Sequence, residues 1–135
     1  MAVGEEKQKI PAKNYRDLIV WQEGIALAKC VYELTHKFPR AETRALSDQI
    51  RRAAVSVPSN IAEGQARKAP AEFSRFLRIA LGSLAEVDTQ LVLAQELKYL
   101  SDRDTNSIDQ RIIELRKKIY ALINSLSASR QQGRD

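Results

Sequence analysis

"PAEFSRFLRIALGSLAEVDTQLVLAQEL", residues 70–97, decides the fold. Its apolar side chains fall at Phe73, Leu77, Ala80, Leu84, Val87, Leu91 and Ala94, in alternating steps of 4 and 3. That spacing is the 3.6-residue period of a helix with one buried stripe. Pro70 stands at its start, where the missing N–H costs nothing because the first-turn donors have no helical partner. A helix this long needs partners to cover its stripe, and three flanking segments supply them.

The first helix is expected from about Asp17 to His36, with a stripe of Leu18, Trp21, Ile25, Ala28 and Tyr32. Asp17 suits its positive end, His36 and Lys37 its negative end, and Pro39 stops it. The second runs from about Ser47, an N-cap type, to Arg67, with a first turn near Thr43 as an alternative start. It buries Ile50, Ala53, Val57, Ile61 and Gly64. The fourth runs from about Asp102, capped by Ser101, to Ser127, and buries Ile108, Ile112, Leu115, Ile119, Leu122 and Leu126. The links, about 38–46, 68–70 and 98–101, are short, which favours antiparallel neighbours. The expectation is an all-α protein, an antiparallel up-down-up-down four-helix bundle over residues 17–127. A flexible polar arm containing Gly4 and Pro11 precedes it at 1–16, and a frayed, disordered tail follows at 128–135.

The 135 residues suit one domain, large enough to fold without a staple. The single cysteine, Cys30, excludes an internal disulfide and fits a reduced cytoplasmic protein. No apolar run approaches the ~18 residues of a membrane span, and the N-terminus has no secretory core. The net charge is +5 and the pI about 9.5, which permits an anionic partner. The charge is polarised: residues 40–78 hold eight bases and four acids, residues 86–114 three bases and seven acids. Such a basic end and acidic end serve either nucleic acid or contacts between copies.

Within "RRAAVSVPSNIAEGQARK", residues 51–68, Pro58 removes a backbone donor and crowds the carbonyl of residue 54, at a cost of about 3 kcal/mol or more. The pattern on both sides predicts a kink near 54–58 rather than a break, with Ser56 and Ser59 placed to partner freed carbonyls. Gln49, Arg52, Ser56, Asn60, Glu63 and Arg67 share the side opposite the buried stripe. An ordinary wet face with i,i+4 pairs accounts for them as well as a binding face does. The phosphate-binding candidates are Arg51, Arg52, Arg67, Lys68, Arg75 and Arg78, and a later cluster is Arg116, Lys117 and Lys118.

Enzymatic chemistry finds little here. "ELTH", residues 33–36, spells the Glu-x-x-His unit of di-iron bundles, but a second unit is needed and His36 is the only histidine. One Cys and one His make zinc equally unpromising, so no metal or other cofactor is expected. His36 is the sole candidate imidazole base for a nucleophile, and no Gly-rich phosphate loop exists. Glu63 and Glu86 are placed to face each other, though salt bridges to Arg52 or Arg67 are the simpler fate for Glu63. No catalytic residue is assigned and a non-enzyme is expected. Tyr15 and Tyr99, near helix ends, suit either base stacking or a bundle-end contact.

"YRDLIVWQEGIALAKCVYELTHKFP", "QIRRAAVSVPSNIAEGQARK" and "EFSRFLRIALGSLAEVDTQLVLA" resemble the 23S rRNA intervening-sequence proteins, over roughly residues 15–101 and more loosely beyond. The resemblance implies a bundle that assembles into homo-oligomers, typically pentameric rings, whose genes often lie within insertions in ribosomal RNA genes. A distant branch serves as accessory protein of diversity-generating reverse transcriptases. Nucleic-acid binding, to structured or ribosomal RNA, is the usual proposal for the family. The positions carried over are Arg51, Arg52, Ser56, Pro58, Ser59, Asn60, Glu63, Gly64, Arg67, Glu72, Phe73, Phe76, Gly82, Ser83, Glu86 and Gln90. Two positions depart: Ala69 replaces the family's Ser or Thr before the third helix, and Lys98 its Gly before Tyr99. The leading expectation is a bacterial, cytoplasmic RNA-binding homo-oligomer with a basic face on the second helix. The alternative is a protein-interaction or assembly scaffold using that polar face as a subunit interface.

Overall fold

The structure, a computed structural model, describes residues 14–134, with side chains through Ala128. Four helices account for most of it: α1 (Ile19–Thr35), α2 (Leu46–Ala66), α3 (Pro70–Glu96) and α4 (Asp102–Arg134). Short 3-10 turns at Tyr15–Asp17 and Arg40–Glu42 precede α1 and α2, and no strand occurs among the described residues. Of the expected arm at 1–16, residues 1–13 lie outside the described residues, while Tyr15 already packs against Trp21 with ring centroids 5.5 Å apart. Residues 128–134, expected as a frayed tail, continue α4 as helix to Arg134, with no proline to interrupt it.

The antiparallel order follows from paired contacts. Gly24 meets Pro58 and Thr35 meets Arg51, so α1 and α2 run oppositely. Ser56 meets Ser83 and Gly64 meets Phe76, so α2 and α3 do too. Gln95 meets Thr105 and Asp88 meets Arg116 between α3 and α4. Glu23 meets Lys118 and Lys37 meets Asp104 between α1 and α4. Each helix therefore has two neighbours, and the four enclose one core.

The expected stripes of α2 and α3 are buried, except Phe73, which is half-buried. On α4, Ile108, Ile112, Leu115 and Ile119 are buried, while Ile123 takes the core place expected of half-buried Leu122. α1 differs. Its buried residues are Val20, Gly24, Leu27, Val31 and Thr35. The expected Trp21 and Ala28 are half-buried at the margin, and Ile25 and Tyr32 are 45% and 42% exposed. The physical reason is Gly24. A Cβ there would stand 3.2 Å from Pro58 Cβ, so the bare glycine face lets the two helices close. A face presenting Trp21 and Tyr32 would hold them apart.

The helix ends explain themselves locally. α2 passes through Pro58 unbroken, and the proline is buried. Ser47 is not its cap; it sits buried in the first turn, and Glu42 Oε1 accepts from the Leu46 N–H at 3.4 Å instead. Ala69 offers α3 no side-chain cap. α3 ends in a Schellman turn, with Tyr99 N–H to Ala94 O at 2.9 Å and Lys98 N–H to Gln95 O at 3.0 Å, and this puts Lys98 at φ 66°. Ser101 and Asp104 cap α4 reciprocally, at 3.2 and 2.9 Å. Lys37 pairs with Asp104. The Lys37 bond and the two Ser101 bonds hold the Asp104 carboxyl down to about 2.

Candidate nucleic-acid interface

The six basic candidates do not form one face. Along α2, Arg52 and Arg67 are fifteen residues apart, about 22 Å at 1.5 Å per residue. Arg51 and Arg67 also point about 160° apart around the helix, at 100° per residue.

Arg51 turns inward toward α1. Its Nε donates to Thr35 Oγ1 at 2.7 Å and an Nη to Tyr32 O at 3.5 Å, with the guanidinium 4.5 Å above the Tyr32 ring. A cation there meets the negative end of α1 and carbonyls that lack helical donors. This gives Arg51 a structural tie that its sequence position did not reveal. Arg52 is exposed and pairs with Asp48 at 3.0 Å.

The second cluster sits where α2 turns into α3. Arg67 and Arg75 both lie over the Phe76 ring, at 5.2 and 4.6 Å from its centroid. Phe76 is buried, so the guanidiniums rest on a fixed platform. Arg67 reaches Glu63 at 3.2 Å and Arg75 reaches Glu72 at 2.8 Å. The Arg75 hydrogen bond and charge, with a smaller pull from Arg67, hold Glu72 below the usual carboxylate range. These are exposed pairs whose net worth is small, so a phosphate can compete for the guanidiniums. Lys68 stands in the turn at φ 56°, and Arg78 follows one helical turn beyond Arg75; both are exposed. Two arginines thus meet two acids around one aromatic anchor, with Lys68 in the adjoining turn and Arg78 further along α3.

The rest of the polar face divides. Asn60 Nδ2 donates to Ser56 O at 2.8 Å and Ser56 Oγ at 2.9 Å, and Ser56 Oγ meets Ser83 Oγ at 2.9 Å, so these side chains tie α2 to α3. Ser56 is therefore taken up across the seam, not by the carbonyl freed at Pro58. Gln49, Ser59, Glu63 and Glu86 are exposed, and Gln90 is half-buried on α3. Glu63 pairs with Arg67, as the simpler expectation had it. Gly64 is a packing residue, because a Cβ there would stand 2.5 Å from Phe76 Cβ.

Neither end tyrosine is laid open for bases. Tyr15 packs on Trp21, and Tyr99 donates to Glu42 at 2.7 Å beside Phe38. Among the described residues no group of three or more His, Cys, Asp or Glu side chains is placed to hold a metal. No helix among them is long and apolar enough to cross a membrane. What the sequence missed was Phe76 as a platform. The signal was available, since a link of three residues must bring Arg67 beside the first turns of α3.

No curated protein matches the chain. The model of the family described as 23S rRNA-intervening sequence protein matches residues 16–121, which span α1, α2, α3 and most of α4. With its four-helix all-α fold, the chain belongs to the 23S rRNA-intervening sequence protein family.

Proposed function

We propose that the protein is a non-enzymatic RNA-binding bundle that works as a homo-oligomer and contacts phosphate through the α2–α3 turn. The observation that supports this most is the pair Arg67 and Arg75 on the Phe76 ring, flanked by Lys68 and Arg78. Stacking fixes two long side chains whose ordering otherwise opposes binding. The bases at and just after the α2–α3 turn make a modest phosphate site, and several copies in one assembly multiply it into avidity. Among the described residues no fully exposed aromatic stands beside it, so recognition is of backbone and shape. The family's name agrees with an RNA partner.

Self-assembly is supported by apolar side chains that the single chain leaves uncovered. Val92 on α3 and Ile113 and Tyr120 on α4, each at least 40% exposed, flank the Arg116–Asp88 pair. Exposed apolar surface of this kind marks a protein contact. It also favours a second reading, a scaffold that holds other protein subunits.

Binding to a structured ribosomal RNA fragment and to random duplex DNA across a salt series separates the two. Tight RNA binding with a steep salt slope supports the proposal. No binding at low salt, in protein shown by sedimentation to be assembled, discards it in favour of the scaffold.

A further inference from the structure

Two faces of the bundle combine exposed apolar side chains with charge of opposite sign. The first lies over α1 and α2, where a shallow groove of about 460 Å3 is lined by Tyr32, Asp48, Arg51, Arg52 and Val55 among others. Its α1 side continues to Ile25, on the stripe that the core does not use, and Ile25, Tyr32 and Val55 are all exposed. Lys29 stands four residues after Ile25 and three before Tyr32, on the same side of α1, and is exposed. Three bases on this face thus stand against one acid, Asp48.

The second face lies over α3 and α4, where Asp88 and Arg116 meet at 3.9 Å. Val92 follows Asp88 by four residues on α3, and Asp109, Ile113 and Tyr120 share the Arg116 side of α4 at helical spacing. Val92, Ile113 and Tyr120 are exposed. Two carboxylates here share one arginine, and the next base, Lys117, turns to Glu114 at 3.9 Å. Burial, and then the neighbouring Asp88, push the Asp109 carboxyl above the ordinary carboxylate range. This face is short of positive charge, and the first has it in excess.

We infer that the α1–α2 face of one copy docks on the α3–α4 face of the next, a pairing that rests on the homo-oligomer reading above and names the surfaces it uses. Charge selects this pairing. Either face laid on its own copy sets like charge against like, whereas the two together are complementary. Each also brings three large apolar side chains, so the contact has an apolar middle with charges around it. Geometry agrees. The helices neighbour one another in the order α1, α2, α3, α4, so the two seams lie on opposite sides of the bundle. A contact between opposite sides is head-to-tail; it uses both faces of every copy and either closes into a ring or runs on as a filament. The cluster of Arg67, Phe76 and Arg75 bridges α2 and α3, between the two faces. Every copy therefore presents it on the same edge of the assembly.

The test starts from sedimentation of the full chain over a concentration series. Reversing the first face with Lys29→Glu and Arg52→Glu should raise the midpoint concentration of assembly at least about tenfold. Reversing the second with Asp88→Lys and Asp109→Lys should do the same, and all four changes in one chain should recover most of the loss. Cross-linking gives an independent readout. In a Cys30→Ala background, one chain carries Val55→Cys and a co-expressed chain carries Ile113→Cys. A short bismaleimide should join 55 to 113 between chains at least about tenfold faster than 55 to 55 or 113 to 113. Circular dichroism confirms that each variant keeps its bundle. Like-to-like products that dominate, or reversals that leave assembly of the folded chain unmoved, overturn the pairing and leave the homo-oligomer reading standing. A native chain that sediments as a monomer throughout overturns both.

Discussion

Gly64 lies so close to Phe76 that a Cβ on it would stand 2.5 Å from Phe76 Cβ, closer than carbon atoms approach. The contact sets the distance between α2 and α3 and so places Arg67 and Arg75 on one ring. Three glycines in helices then make a graded series. Gly64→Ala should destabilise by about 1–3 kcal/mol, since crowding outweighs the helix-propensity gain. Gly24→Ala, 3.2 Å from Pro58 Cβ, should fall within about 1 kcal/mol of the parent, because crowding and propensity oppose each other. Gly82→Ala, with nothing within 4 Å, should stabilise by about 0.5–1 kcal/mol. Urea unfolding of the three variants checks the order.

Two departures from the family pattern should be correctable. Lys98 holds a left-handed backbone at φ 66°, and Lys98→Gly should gain about 1 kcal/mol. Ala69 leaves the α3 N-terminus without a side-chain acceptor, and Ala69→Ser should gain about 1 kcal/mol. The sites lie at opposite ends of α3, so the gains should add. A shift in melting temperature for the double variant that matches the sum of the single shifts is the expected result.

Acid should loosen the α4 end of the bundle in a defined window. The Asp104 carboxyl is held down from its ordinary 3.8 to about 2, first by Lys37 and then by Ser101. A depressed carboxylate stabilises the fold above its unfolded value and loses that contribution as pH falls through the folded one. Stability should therefore drop between about pH 4 and pH 2, and Asp104→Asn should be weaker at pH 7 but flatter across that window. Stability curves of both proteins from pH 7 to pH 2 test this. A parallel fall in the two would remove Asp104 as the cause.

The arginines should separate into two kinds. Replacing Arg67 and Arg75 by Gln should reduce the magnitude of the salt slope of RNA binding by as much as about 1.5–2, with little loss of stability. Arg51→Gln should leave the slope nearly unchanged and cost about 1–2 kcal/mol, because it removes bonds to Thr35 and to the end of α1. Binding isotherms over a salt series, paired with melting temperatures, distinguish a phosphate ligand from a structural tie.

Much of the bundle was legible in the residues. The stripes from Ile50 to Gly64 and from Leu77 to Ala94 each offer a helix one apolar side, so periodicity names the buried face without a neighbour's help. Ser101 and Pro70 mark their helix starts by local chemistry, whereas the left-handed turn at Lys98 was expected only from the family's glycine there. Only the tertiary structure decided the orientation of α1. That helix has two apolar stripes, and the choice went to the one where Gly24 lets Pro58 approach, leaving Ile25 and Tyr32 outside. It also parted the six basic residues, sending Arg51 to α1 and gathering Arg67 and Arg75 on Phe76. A one-dimensional charge count has no record of which helix face meets a neighbour, and that meeting determines which cations remain open to a phosphate.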